Sequence, residues 1–206
     1  MNISILTGAG ISAESGLGTF RDKDGLWTKY DLSEVATPEG FARDPAKVHA
    51  FYNARRRNAA EAKPNAAHKA LADLQRRHGD RLTIVTQNVD DLHERAGAKV
   101  WHMHGELTRA RCHVCAAEWV APAEMAPDDP CPSCGARATR PAIVWFGEMP
   151  LYLEEIDEWL GRADLFVAIG TSGQVYPAAG FVAAASGAGA RTLEINLDPS
   201  DVSPAF

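Results

Sequence analysis

Thr7-Gly-Ala-Gly-Ile-Ser-Ala-Glu-Ser-Gly-Leu-Gly-Thr-Phe-Arg-Asp22 follows the apolar run Ile3–Leu6 and nearly opens the 206-residue chain. A strand that ends in Gly8-Ala9-Gly10 and turns into a helix makes a phosphate cradle. Glycine lets backbone approach a pyrophosphate, and the first N–H groups of the helix face the anion at the positive end of its dipole. Gly8, Gly10 and Ala13 fit the G-x-G-x-x-G/A pattern. A dehydrogenase also needs a second strand ending in an acidic residue about 20 positions on. Here Gly18 to Trp27 holds no apolar run, only charged, glycine and aromatic residues. The cradle predicts a dinucleotide, and Phe20, Leu26 and Trp27 predict an ordered functional loop in place of a hydride site.

Five short β-branched or aromatic runs bounded by polar residues or glycine predict buried parallel strands: Ile3–Leu6, Leu82–Thr86, Val100–Met103, Leu165–Ile169 and Thr192–Ile195. Helical periodicity fills Pro64–Arg77, Val89–Ala96, Leu151–Gly161 and Pro177–Ala188 between them. Strand–helix alternation gives an α/β fold, a Rossmann-like doubly wound parallel sheet. Two stretches break the rhythm, a helical polar one from about Leu32 to Asn58 and a cysteine segment from Thr108 to Arg140. They predict a smaller lobe made of a helical insertion and a zinc module. The expected organisation is one domain over 1–206. Its larger lobe takes about 1–30, 80–108 and 141–206, and its smaller lobe 31–79 and 109–140.

Each strand ends in the same kind of chemistry: Gly8-Ala9-Gly10, Gln87-Asn88-Val89-Asp90, His102-Met103-His104-Gly105-Glu106, Gly170-Thr171-Ser172 and Asn196-Leu197-Asp198. Open α/β sheets bind ligands outside the carboxyl ends of their strands. Turn chemistry also ends strands in such residues, but five together form a crevice floor.

The four cysteines, Cys112-x2-Cys115 and Cys131-x2-Cys134, are separated by fifteen residues. Two C-x-x-C turns close a tetrahedron around Zn²⁺, and four sulfurs leave no open position, so the zinc is structural. A redox C-x-x-C does not explain two copies. A nucleic-acid zinc ribbon stays open, because Arg109, Arg111, Arg137 and Arg140 form a local basic patch. The formal net charge of −6 weighs against nucleic acid as the main partner. No apolar run is long enough to span a bilayer. Met1 leads straight into a strand, and clustered cysteines without secretory features fit a reducing, cytoplasmic setting.

GAGISAESG, TFRD, QNVD, HMHGEL, the four cysteines, VWFGE, GTS and Asn196-Leu197 together resemble the sirtuin family, in order and over nearly the whole length. Segments such as Ala36–Phe41, Phe51–Arg56 and Trp145–Pro150 resemble most the bacterial cobalamin-B type with desuccinylase-like features. The resemblance implies an NAD-dependent protein-lysine deacylase yielding nicotinamide, O-acyl-ADP-ribose and free lysine. NAD would then be co-substrate, and the partners acyl-lysine proteins met by a monomer. It implies an NAD cradle of Gly8, Ala9, Gly10, Ser12, Ala13, Glu14, Thr19, Phe20, Arg21 and Trp27. Gln87 would lie near the ribose, Asn88 and Asp90 on the carboxamide, and Gly170, Thr171, Ser172, Asn196, Leu197 and Asp198 on the adenosine half. Asn88 and Asp90 also suit helix N-capping.

By the same resemblance His104, just before Gly105-Glu106, is the catalytic base and Asn88 assists it; His102, on the same strand face, is structural. Tyr52 and Arg55 share a helix face and would bind a succinyl, malonyl or glutaryl carboxylate, with Ala36 leaving room. A solvated Arg55-Arg56-Arg57 face is the plain alternative. Val144, Trp145, Phe146, Gly147 and Glu148 would extend an edge from Ile143 that pairs with a substrate backbone, or lie in an ordinary buried strand. Gly18 replaces a frequent proline, implying a looser cofactor loop. Relatives typically continue through another strand and a helix beyond Phe206; a chain ending there would bind NAD more weakly and be less stable. Two rival functions stay open: a mono-ADP-ribosyltransferase on the same site, and a zinc-containing NAD-sensing module.

Overall fold

The computed structural model describes residues 1–18 and 31–206. The first strand, β1 (Ile3–Thr7), runs into a 3-10 helix over Ala9–Ser15. Three helices follow, α1 (Leu32–Val35), α2 (Pro38–Arg43) and α3 (Pro45–Glu61), where the sequence predicts one helical stretch. The breaks are local chemistry. Thr37 Oγ1 accepts the Gly40 N–H and Asp44 Oδ1 the Lys47 N–H, both at 2.9 Å, and each cap precedes a proline at the first helical position. Helix α4 (Ala66–His78) is capped by Asn65, whose amide also donates to Ile11 O at 2.7 Å and so ties it to the 3-10 helix.

Strand β2 (Leu82–Thr86) leads to α5 (Leu92–Arg95), one turn rather than the longer helix expected from Val89, and then to β3 (Trp101–His102). Strands β4 (Gly105–Cys112), β5 (Glu118–Val120) and β6 (Thr139–Ile143) form an antiparallel sheet of order β5-β4-β6. Helix α6 (Leu153–Gly161), β7 (Leu165–Ile169), α7 (Phe181–Gly187, after a 3-10 turn at Ala178–Gly180) and β8 (Arg191–Ile195) complete the chain.

The main sheet is parallel with order β3-β2-β1-β7-β8. Side chains along it alternate between two cores. Leu6, Val85, Phe166 and Ala168 face α6 and α7, whereas Ile3, Ile5, Ile84 and Val167 face Leu71 and Ala72 of α4. That explains unbroken apolar runs in strands covered on both faces. A third core of Val35, Val48, Phe51, Tyr52, Leu107, Ile143 and Trp145 joins the helical insertion to β4 and β6. The lobe boundaries expected at 108/109 and 140/141 fall inside β4 and β6, so two strands carry the chain across.

One strand departs from expectation. β8 was expected to be buried, yet Leu193 and Ile195 are about half exposed. Among the described residues it pairs with β7 alone, and none of its residues is fully buried.

Sheet order reverses between β1 and β7, which puts the crevice at their carboxyl ends. There the backbones touch. A Cβ on Gly8 would lie 2.7 Å from Gly170 O, and one on Gly10 would lie 2.8 Å from Gly170 Cα. Gly170 itself has φ +63°. Gly170→Ala should therefore cost about 2–4 kcal/mol, from the left-handed conformation and the clash with Gly10 together. Urea unfolding with an unchanged slope and a lowered midpoint checks this; an unchanged midpoint refutes it.

Candidate active site and metal centre

A cavity of about 720 Å³ opens at this switch point. It is lined by every described residue assigned above to cofactor or substrate, from Gly8 and Ala36 to Asp198. Thr19, Phe20, Arg21 and Trp27 lie outside the described residues. The glycine turn works differently from the simple cradle. The Gly10 N–H donates to Gly170 O at 2.8 Å and the Ile11 N–H to Gly8 O at 3.2 Å. The first of these donors ties the turn to the end of β7 and the second closes the turn on itself, so neither faces an anion, and the glycines there permit strand contact.

Side chains at the strand ends hold one another. Gln87 Nε2 donates to Thr171 Oγ1 at 3.0 Å, and Asn196 Nδ2 donates to Thr171 O at 2.9 Å. Asn88 Nδ2 donates to Ser12 Oγ at 3.1 Å, while Ser12 Oγ donates to Asp90 Oδ2 at 3.2 Å. Asp90 Oδ1 accepts the Leu92 N–H at the start of α5, but the N-cap residue is Asp91, whose side chain makes no cap hydrogen bond. Asn88 does no capping. Burial pushes the Asp90 carboxyl above the usual range, against the Leu92 and Ser12 hydrogen bonds. Behind it lies a buried polar chain that sequence reading missed. His68 Nε2 meets Ser12 Oγ at 3.4 Å, His93 Nε2 meets Thr7 Oγ1 at 3.1 Å, and the two rings pack edge to face. Burial keeps both imidazoles neutral, His93 at about 4.

The two candidate strand histidines differ in their partners. His102 faces two acceptors, Asn88 O and Glu94 Oε1, each at 2.8 Å. Burial opposes its charge, but Glu94 and the Asn88 carbonyl outweigh burial and raise its pKa. His104 meets the Gln87 carbonyl through Nδ1 at 3.2 Å. A carbonyl only accepts, so Nδ1 carries the proton in the neutral ring and Nε2 is left basic. Burial pushes His104 below the ordinary imidazole value, against the Gln87 carbonyl. His104 therefore has the form a general base needs.

On α3 the three arginines have separate fates. Arg57 is exposed and pairs with Glu124. Arg56 is buried, donating to Leu107 O and Asn53 Oδ1, both at 2.8 Å. Arg55 lines the cavity with its guanidinium 5.7 Å from the Phe51 and Tyr52 ring centres. Tyr52 is buried, and its hydroxyl oxygen accepts from Trp145 Nε1 at 3.0 Å. A uniformly solvated basic face is thereby excluded. Asn58, one turn beyond Arg55, and Tyr176 also line the cavity and were not predicted.

The segment after Ile143 also differs from expectation. β6 ends there, and residues 146–148 turn, with Gly147 at φ +90° and the Glu148 N–H on Trp145 O. Val144 N–H still donates to His104 O, and Phe146 N–H donates to Ala36 O, both at 2.9 Å, before the turn at Gly147. Arg140 is no part of a basic surface patch. It is buried and forms a bidentate pair with Glu148.

All four thiols lie within 4.8 Å of one another, with Cys112 3.7 Å from Cys134 and Cys115 3.7 Å from Cys131. A Zn–S length of about 2.3 Å makes the tetrahedral S···S edge about 3.8 Å, whereas a disulfide needs about 2 Å. Each knuckle aims a backbone N–H at a sulfur, Val114 at Cys112 and Ser133 at Cys131, as a thiolate requires. The cysteines are positioned to hold zinc.

The Sir2 family model matches residues 8–177. The chain belongs to the Sir2 family. A Caulobacter vibrioides NAD-dependent protein deacylase is 62% identical over 97% of this chain and 86% of its own. An Escherichia coli NAD-dependent protein deacylase is 56% identical over 99% of this chain and 75% of its own. Among solved structures, a Sir2 homologue complexed with ADP-ribose superimposes with a TM-score of 0.92 at 43% identity, covering 99% of this chain and 83% of that one. A Sir2 homolog–NAD complex gives 0.90 at 42%, covering 99% and 81%. The family, the Rossmann-like fold and the four-cysteine metal centre are as the sequence predicted.

The metal prediction is direct. Cys131→Ser should lose stoichiometric zinc by atomic absorption and expose residues 113–138 to protease. Full zinc retention would reject a four-sulfur site.

Proposed function

We propose that this protein is an NAD-dependent protein-lysine deacylase that removes both acetyl and dicarboxylic acyl groups. His104 is its base, and Tyr52 with Arg55 is its carboxylate clamp. One observation carries the reading: His104 and Arg55 line the same cavity, at the switch point of a Sir2 fold. Relatives at 55–62% identity that are NAD-dependent protein deacylases support the activity. A solved Sir2 complex containing a deacetylated peptide and acetyl ADP-ribose supports a peptidyl substrate.

NAD, when bound, supplies the ADP-ribosyl group that accepts the acyl chain as nicotinamide leaves. The chain's residues do the rest. Asn88 and Asp90 meet a carboxamide, which offers one donor and one acceptor face. Thr171, braced by Gln87 and Asn196, and Ser172 hold the adenosine half. His104 Nε2 takes a proton from a hydroxyl brought into the cavity. Arg55 faces an acyl carboxylate with a planar fork. A sensor needs no base, and an ADP-ribosyltransferase needs no acyl clamp, so both rivals leave residues idle. The reading includes a monomer in the cytoplasm that uses no nucleic acid, in keeping with the acidic balance. Among the described residues no helix is long and apolar enough to cross a membrane.

Mixing the protein with NAD and acetyl- or succinyl-lysine peptide should release nicotinamide and free lysine together. His104→Ala should abolish both, and failure with every acyl group would sink the activity. Arg55→Met should cut desuccinylation on the order of 10–100-fold, as expected for a charged hydrogen bond, and spare deacetylation. Equal losses would mean the clamp is wrong.

A pH profile tests the base. His104 must be neutral to act, and burial lowers its pKa from 6.5, so activity should persist as pH falls through 6.5. An acid limb of kcat/KM centred at or above 6.5 would contradict that assignment.

A further inference from the structure

Arg140 sits at the start of β6, directly opposite Arg111 and one residue along from the Thr139–Cys112 pair, at the foot of the metal module. Its side chain is 2% exposed. One guanidinium nitrogen donates to Glu148 Oε1 at 2.6 Å; the other donates to Glu148 Oε2 at 2.9 Å and to Ile143 O at 2.7 Å. The guanidinium carbon lies 3.4 Å from the centre of the Trp145 ring, a face-on stack. Glu148 Oε2 also accepts the Trp145 backbone N–H at 2.9 Å. Backbone and ring of Trp145 are thus both held by one ion pair. Phe41 packs on the ring at 5.1 Å between centroids.

What the ring does follows from donor bookkeeping. Indole nitrogen can only donate. At 3.0 Å from the Tyr52 oxygen, it makes that oxygen the acceptor. The Tyr52 O–H proton must then point to a different partner. Tyr52 lines the cavity beside Arg55, so the open direction is toward the acyl chain. A phenol fixed as donor next to a guanidinium suits a carboxylate, which only accepts.

We propose that Arg140, through Glu148 and Trp145, is a positioning residue for acyl specificity: it holds Tyr52 as a hydrogen-bond donor toward the terminal carboxylate of a dicarboxylic acyl-lysine. The inference rests on the carboxylate clamp proposed above. It gives Glu148 a job other than touching substrate, since both its oxygens are engaged by Arg140 and Trp145. Lysine cannot replace Arg140, because a point charge offers neither the bidentate fork nor the flat stacking face.

The test uses zinc-loaded protein and two peptides, succinyl-lysine and acetyl-lysine, with Kd measured by calorimetry without NAD and KM and kcat measured with it. Arg140→Lys and Arg140→Met are made alone and in a Tyr52→Phe background. Either variant alone should weaken the succinyl peptide about tenfold in Kd and KM, the scale of one charge-assisted hydrogen bond. Acetyl-peptide values should shift far less, and zinc content should stay the same. In the Tyr52→Phe background the Arg140 substitutions should add little, because the hydroxyl they position is gone. Equal weakening of both peptides, undiminished effects in the Tyr52→Phe background, or zinc loss in both variants would each overturn the proposal. If the unmutated protein deacetylates but neither binds nor cleaves succinyl-lysine, the clamp itself fails. A failure confined to Arg140 leaves the unmutated protein active on both peptides.

Discussion

The contact of Gly8 and Gly10 with Gly170 is the constraint on which the rest of the molecule depends. Parallel strands β1 and β7 come together where the sheet order reverses, and no side chain separates their carboxyl ends. With the two backbones in touch, Thr171 falls within reach of both Gln87 at the end of β2 and Asn196 at the end of β8. Ser12, on the turn after Gly10, reaches Asn88 and Asp90. A side chain at any of the three glycines would meet the facing backbone at under 3 Å and force these strand ends apart. Three small residues therefore set the shape of the cavity floor, although little of the chemistry is theirs.

The same floor gives two nearby histidines opposite jobs. His102 and His104 share a strand face in sequence terms, and composition does not separate them. Their acceptors do. Two acceptors on one ring, one of them a carboxylate, favour the imidazolium of His102. One neutral carbonyl on Nδ1, together with burial, favours a neutral His104 with a basic Nε2. The 2.8 Å contact of His102 Nε2 with Glu94 Oε1 also ties β3 to the α5 turn.

Strands and metal ligands were legible in the sequence because each rests on local pattern. A doubly covered parallel strand must be apolar throughout, and paired C-x-x-C turns have few other uses. What stayed hidden depends on distant contacts. Arg140 reads as one of four basic residues near the cysteines, and nothing local says that Glu148 and Trp145 enclose it. Arg56 reads like Arg55 and Arg57 until the Leu107 carbonyl and Asn53 are brought to it. Ile143 to Glu148 has strand-forming residues, but Phe146 N–H is taken by the Ala36 carbonyl and the chain turns at Gly147. The exposure of β8 is matched by its pairing, among the described residues, with β7 alone. The helical insertion was visible as helix, while its division into three followed from two capped Thr-Pro and Asp-Pro steps that periodicity averages away.

A four-cysteine zinc has no open ligand position, so its connection to catalysis has to be mechanical. The covalent path is short. β4 begins at Gly105, the residue after His104, and ends at Cys112; β6 begins at Thr139, beside Arg140, and ends at Ile143, two residues before Trp145. These strands pair along their length, Cys112 against Thr139 at the metal end and Gly105 against Ile143 at the cavity end, with a register shift between. The metal-ligand end thus lies at one end of this strand pair, and the other end carries His104, the proposed base, beside β4 and Trp145, beside the proposed acyl pocket, just past β6. A zinc held by the four cysteines would act on the cavity only through these strands, touching neither His104 nor Trp145.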